Sequence, residues 1–279
     1  MSSRDVTTVP LARKHALQIA PADAIYSYVP KNACTTLRYA TVLANTGASP
    51  PDLFDQMDEV FTEYVATEDQ ISSARYRFIV LRCPWQRLSS VFLDKFVGGK
   101  RTGRALRLSS DRQNRSRASA LLFRGLYRLG LTSYINPERF SFRNFVELLG
   151  AQEALDIDHH WTPQARHDLG ALGYPYTDVF GMHALEEAFL RISEATGMTI
   201  VDTRGMSGHA TQSLQLLTEG CFADTPLVDL AKLRTQGFAP AHGAMYDRAL
   251  LRQVAEIYTE DFAFYEKHLG SAGLTFGSS

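Results

Sequence analysis

The chain has 279 residues, 45% hydrophobic and 21% charged, with 29 Lys and Arg against 30 Asp and Glu for a formal net charge of −1. This is globular composition at a length that suits one large domain or two small ones. So balanced a charge excludes a global field drawing the chain toward nucleic acid or membrane. No apolar run approaches the roughly 20 residues of a transmembrane helix, and the first twenty residues lack the apolar core of a secretory signal. Cys34, Cys83 and Cys221 are scattered and odd in number, giving neither a metal-ligand spacing nor a disulfide framework, so a reducing, cytoplasmic setting is expected.

In chain order, residues 1–22 are polar and weakly patterned and read as an N-terminal arm. AIYSYV (24–29) reads as a strand, and TTLRYATVLA (35–44) as a helix with Leu37, Ala40, Thr41 and Ala44 on one face. TGASPPD (46–52) is a break. YRFIVLR (76–82) is a near-continuous apolar run, as in a strand buried on both faces. CPWQRLSSVFLDKF (83–96) follows as a helix with Pro84 suited to its first position. Its Leu88, Val91, Phe92 and Lys95 share one face, and Arg87, Ser90 and Asp94 another. Further on, TDVFGM (177–182) reads as a third strand and ALEEAFLRISEAT (184–196) as a helix stopped by Gly197. MTIVD (198–202) reads as a fourth strand, and residues 246–270 as one long helix or two. Strands alternating with helices predict an α/β fold with a mainly parallel central sheet, in a single domain over 23–270 followed by a flexible tail at 271–279. The stretch 99–128 stands apart, with nine basic residues, Arg101, Arg104 and Arg107 among them, against the single acid Asp111. It reads as an Arg-rich helical insertion.

Two strand–loop–helix junctions carry the chemistry. In IYSYVPKNACTTLRYA (25–40), a ligand at the junction lies at the carboxyl end of a strand and faces the N–H groups and dipole of a helix start, which favour an anion. Lys31 adds a point charge, and Thr35 and Thr36 add hydroxyl donors. The stretch alone reads equally as a capped helix with Lys31 solvated, and it has none of the glycines of a Walker loop, which disfavours an ordinary ATPase or GTPase. FIVLRCPWQRLSSVFLDKF repeats the architecture. Arg82 stands at the strand end and Ser90 on the helix face away from the apolar stripe. A guanidinium and a hydroxyl so related can grip a second phosphate.

Together, VPKNACTT and RCPWQRLSSVF resemble the two cofactor motifs of sulfotransferases that use 3′-phosphoadenosine-5′-phosphosulfate (PAPS), in particular the carbohydrate group called family 2. Cys83 departs from the Asp or Asn usual after the first arginine. More loosely, DHHWTPQ (158–164) is similar to a His-Trp-x-Pro-Gln element of many members. DVFGMHALEEAFLRISEATG and IYTEDFAFY (257–265) resemble later segments of the family. The resemblance implies the P-loop-like sulfotransferase fold and sulfuryl transfer to a carbohydrate or other hydroxylated acceptor, with product 3′-phosphoadenosine-5′-phosphate (PAP) and no metal. It implies that Pro30, Lys31, Asn32, Ala33, Cys34, Thr35 and Thr36 hold the 5′-phosphosulfate, with Lys31 also catalytic, and that Arg82 and Ser90 hold the 3′-phosphate. Thr211 and Ser213, in a polar loop, are further cofactor candidates.

A hydroxyl acceptor calls for a general base. His160 is the leading candidate, with His159 beside it assigned to substrate; Asp58, Glu59, Glu63, His183 and His209 are alternatives. Arg101, Arg104 and Arg107 are assigned to an anionic acceptor, though a solvated face that attracts the cofactor explains the same charge. Sparse aromatic interleaving argues against nucleic acid. Two other readings stay open: a nucleotide-binding or interaction protein that keeps the cleft without the base, and a P-loop-like kinase, which lacks both Walker glycines and a Mg²⁺ carboxylate after the second strand.

Overall fold

The structure is a computed structural model that describes residues 9–47, 61–97, 138–150, 152–156, 158–201, 203 and 214–276. The chain forms two compact units, each drawn from two segments: Met1–Leu81 with Gln164–Thr203, and Arg82–Pro163 with Arg204–Ser279.

The first unit is built on a four-stranded sheet in the order β1 (Ala16–Ile19), β2 (Ala24–Ser27), β3 (Tyr76–Leu81), β4 (Asp178–Gly181). β2, β3 and β4 run parallel, and β1 pairs antiparallel with β2 along the edge. The register sets Ser27 beside Ile79, so β2 and β3 end on the same side of the sheet. Alternation along the strands divides the core. Tyr26, Phe78 and Val80 pack with Leu37 and Ala40 of helix α2 (Cys34–Thr46) and with Ile192 of helix α6 (Leu185–Thr196). Ile25 points to the other face, with Ala12, Ile71 and Leu169. Both faces of the parallel strands are thus covered, as their unbroken apolar runs require. Helix α1 (Leu11–Lys14) precedes β1, and helix α3 (Glu68–Ser73), held by a Thr67 capping box, precedes β3. α6 ends at Gly197, whose φ of 69° closes the helix in the left-handed region.

The second unit is mainly helical. Helix α4 (Pro84–Phe92) continues into a π-helical turn, Leu93–Val97. It packs with α5 (Phe142–Leu149), α7 (Leu227–Thr235) and α8 (Arg248–Ile257) around an aromatic-rich core that includes Phe92, Phe145, Trp161 and Tyr258. α9 (Thr259–Leu269) follows α8 directly, and β5 (Gln215–Leu217) and β6 (Phe238–Pro240) form a two-stranded parallel ribbon.

Three expectations need revision. Residues 9–22 are not a loose arm: Ala16, Leu17 and Ile19 are fully buried in β1. Four residues are too few for a period-2 pattern to stand out beside the helical LARK turn. Residues 198–201 form no strand, and the fourth strand of the sheet is β1 instead. Within the tail, residues 271–276 are docked, with Phe276 against Trp85 and Tyr246.

Candidate active site

β2 leaves the sheet through Tyr28, Val29 and Pro30, all buried, and α2 begins at Cys34. Between them, Lys31 and Ala33 both take positive φ, 73° and 55°. This is the conformation that phosphate loops usually entrust to glycine, and within the turn the Asn32 N–H donates to Val29 O at 3.2 Å. Asn32 is fully buried and pins the turn: its amide donates to Val80 O at 2.9 Å and to Gln164 Oε1 at 3.0 Å. Gln164, the last residue of the DHHWTPQ stretch, thus braces the first loop. Thr36 is committed differently from expectation. It is buried, and its hydroxyl shares a 2.8 Å hydrogen bond with that of Thr203. Lys31, Ala33, Cys34 and Thr35 are half-buried.

Arg82 follows the last residue of β3. Burial pulls its pKa down to about 10, so it remains a guanidinium at neutral pH. Its Nη2 lies 2.9 Å from Nε2 of His242, whose Nδ1 lies 2.9 Å from Ser89 Oγ. Ser90 is half-buried one residue further along α4.

α2 and α4 share an electrostatic feature. Neither start has a side-chain cap, and neither first turn holds an acid. Every other described helix of eight residues or more has one or the other. Ser141 caps α5 and Asp247 caps α8, while α6, α7 and α9 carry Glu186, Asp229 and Glu260 in their first turns. The positive ends of α2 and α4 thus have neither a capping side chain nor an acid of their own first turn.

Arg87 departs from the sequence reading. It lies not on an outward polar face but 2% exposed, 3.8 Å from the buried Asp261 carboxylate, and it donates to the carbonyls of His160 and Thr162 at 3.1 and 2.8 Å. Tyr258 Oη donates to Trp161 O at 2.6 Å. Arg87 and the IYTEDFAFY stretch together hold the DHHWT loop.

On that loop, His160 Nδ1 lies 2.6 Å from Asp158 Oδ1, and His159 stacks on His160 with ring centroids 4.2 Å apart. Burial pushes the His160 pKa down to about 4, against the pull of Asp158. Burial raises Asp158, but the hydrogen bonds and charge of His160 outweigh it and hold the carboxyl at about 2. At neutral pH the pair is therefore a carboxylate accepting from the Nδ1–H of a neutral imidazole, whose Nε2 keeps its lone pair. Donor atoms of Asp158, His159 and His160 lie within 4.8 Å of one another. Glu63 and His183 are exposed. Arg101, Arg104, Arg107, Thr211, Ser213, His209, Asp58 and Glu59 lie outside the described residues.

Gln164, Ser89, His242 and Asp261 are the functional candidates that sequence reasoning missed. Gln164 lies in DHHWTPQ and Asp261 in IYTEDFAFY. His242 carried no pattern at all, and Ser89 was overshadowed by its neighbour Ser90.

Parallel strands that each exit through a cation-bearing turn into an uncapped helix define an α/β protein suited to anionic groups. A family model described as the sulfotransferase family matches residues 18–268, from within β1 to within α9, and the chain belongs to that family. No curated protein and no solved structure matches it. Among the described residues, no helix is long and apolar enough to cross a membrane.

Proposed function

We propose that this sulfotransferase takes its sulfuryl group from PAPS and transfers it to a hydroxyl of a carbohydrate or similar acceptor, with PAP as the other product. The observation that carries the reading is the pair of uncapped, acid-free helix starts, α2 and α4, each preceded by a cation, Lys31 or Arg82. Two features support the fit: the glycine-like turn at Lys31 and Ala33, with an ammonium in it, and the Arg82 guanidinium directly after β3.

When bound, PAPS supplies an already activated sulfuryl group, so the chain's task is alignment and charge stabilisation. Lys31 Nζ and the N–H groups of residues 33–35 balance negative charge on the 5′ side, the Asn32 N–H being taken by Val29 O. Thr36, with its hydroxyl bonded to Thr203, contributes its backbone N–H and fixes the first turn. Arg82 and Ser90 hold the 3′-phosphate and so set the register. His160 Nε2 receives the acceptor's hydroxyl proton, with Asp158 orienting the ring. Arg101, Arg104 and Arg107, with His159, are assigned to an anionic acceptor on sequence grounds.

The family match replaces the kinase reading. One observation favours a second reading, nucleotide binding without efficient transfer: a pKa of about 4 makes His160 a weak base near pH 7. Thermal melting with PAP or ATP, followed by label transfer from PAPS to a panel of hydroxyl-bearing glycans, separates these readings. PAP stabilisation with label transfer supports the proposal. PAP stabilisation with no labelled acceptor favours the second reading, and stabilisation by ATP alone sinks both.

A further inference from the structure

Arginine presents five N–H donors and no acceptor, and its long stem carries considerable rotamer entropy. An arginine meant for a phosphate binds best when its fork is already oriented, because ordering it at the moment of binding costs affinity. One partner of Arg82 comes from far along the chain: His242 lies 160 residues away, just after β6.

The donors and acceptors around His242 permit one arrangement. Arg82 Nη2 can only donate, so His242 Nε2 accepts, and the imidazole is neutral with its proton on Nδ1. Nδ1–H then donates to Ser89 Oγ across 2.9 Å. The Ser89 hydroxyl in turn donates to the carbonyl of Trp85 at 3.0 Å or Gln86 at 3.1 Å. In the run from Arg82 Nη2 through imidazole and hydroxyl to helix carbonyl, a donor faces an acceptor at each link, and the run ends on the helix that follows Arg82 itself. Ser89 is fully buried, which shields the inner end of the run from water.

We infer that His242 is a positioning residue for the 3′-phosphate: its Nε2 lone pair fixes the Arg82 guanidinium and thereby sets how strongly a 3′-phosphorylated nucleotide is preferred over one without that group. The inference rests on the assignment of Arg82 to the 3′-phosphate.

Two near-isosteric variants test it. His242→Gln places an amide oxygen where Nε2 stands and keeps an acceptor for Arg82. His242→Asn reaches only as far as Nδ1, keeping the Ser89 contact and losing the Arg82 contact. Calorimetric titration with PAP and with adenosine 5′-monophosphate is expected to show PAP affinity about tenfold weaker in His242→Asn and within about threefold of wild type in His242→Gln, since a hydrogen bond to a charged group is of that size. Affinity for the monophosphate holds in both. In turnover, the Asn variant raises the KM for PAPS and leaves kcat nearly unchanged. Wild-type PAP affinity in His242→Asn, or an equal loss for both nucleotides, overturns the inference. Should either variant fail to fold by circular dichroism, ¹⁵N NMR of histidine-labelled wild-type protein decides: a proton on Nε2 of His242 overturns it, and a bare Nε2 supports it. A wild-type protein that binds PAP no better than the monophosphate sinks the Arg82 assignment and this inference together. Tight PAP binding by both wild type and His242→Asn sinks this inference alone.

Discussion

Lys31 and Ala33 hold a backbone conformation that costs an ordinary residue on the order of 1–2 kcal/mol, and the buried Asn32 bonds help to impose it. Ala33→Gly is therefore expected to keep thermal stability within about 1 kcal/mol of wild type, relief of strain offsetting lost chain entropy. Ala33→Val, β-branched at positive φ, is expected to lower stability by roughly 2 kcal/mol or more and to weaken PAP binding. Equal melting temperatures for the two variants would refute the strained-loop account. The missing glycines are also why the loop was only half legible: the cation and the hydroxyls stood in the sequence, but the φ signs did not. His160 carries a pH prediction. Its folded pKa, about 4, lies below the ordinary value of 6.5, so between these values the unfolded chain binds the extra proton. Stability is then full above about pH 6.5 and falls as pH drops toward 4, by at most about 1.4 kcal/mol per pH unit. His160→Gln should flatten that part of the melting profile, and a profile identical to wild type would show that the imidazole is not held neutral.

At the level of elements, α4 serves two purposes at once. Its apolar stripe was readable from spacing, and Leu88, Val91 and Phe92 are indeed buried. Periodicity placed Arg87 on the polar face because it cannot show that a carboxylate more than 170 residues downstream is buried beside it. Removing one member of a buried pair leaves the other charge uncompensated, so Arg87→Ala is expected to cost about 3–5 kcal/mol in urea unfolding. Asp261→Asn should cost less, because Arg87 retains the carbonyls of His160 and Thr162 as acceptors. The reverse order would mean that the Asp261 contact, not the carbonyl contacts, holds the DHHWT loop. Helix starts tell a complementary story. The bare first turns of α2 and α4 were readable as residue types, but their contrast with the other helices emerges only once helix boundaries are known.

Over the whole molecule, the parallel order of β2, β3 and β4 was legible because each strand is apolar and each is followed by a helix. β1, β5 and β6 lay outside every stretch that read as a strand. A near-neutral chain cannot steer a polyanion by net charge, so cofactor affinity must come from local groups. PAP at a hundred times its dissociation constant is expected to stabilise the wild type by about 2.7 kcal/mol, seen as a rise in melting temperature of several degrees. Lys31→Ala and Arg82→Ala should each shrink that rise, and Lys31→Ala should also abolish label transfer. An undiminished rise in Arg82→Ala would show that the second motif is misassigned. β1 has one more consequence. It is the antiparallel strand that occupies the outer side of β2, and without it the backbone of β2 would be bared along a flat, apolar margin open to recruitment by another chain. A protein shortened to begin at residue 23 should therefore self-associate, running as oligomers or precipitate in size-exclusion chromatography. An elution volume unchanged from the full chain would show that β1 has no such shielding role.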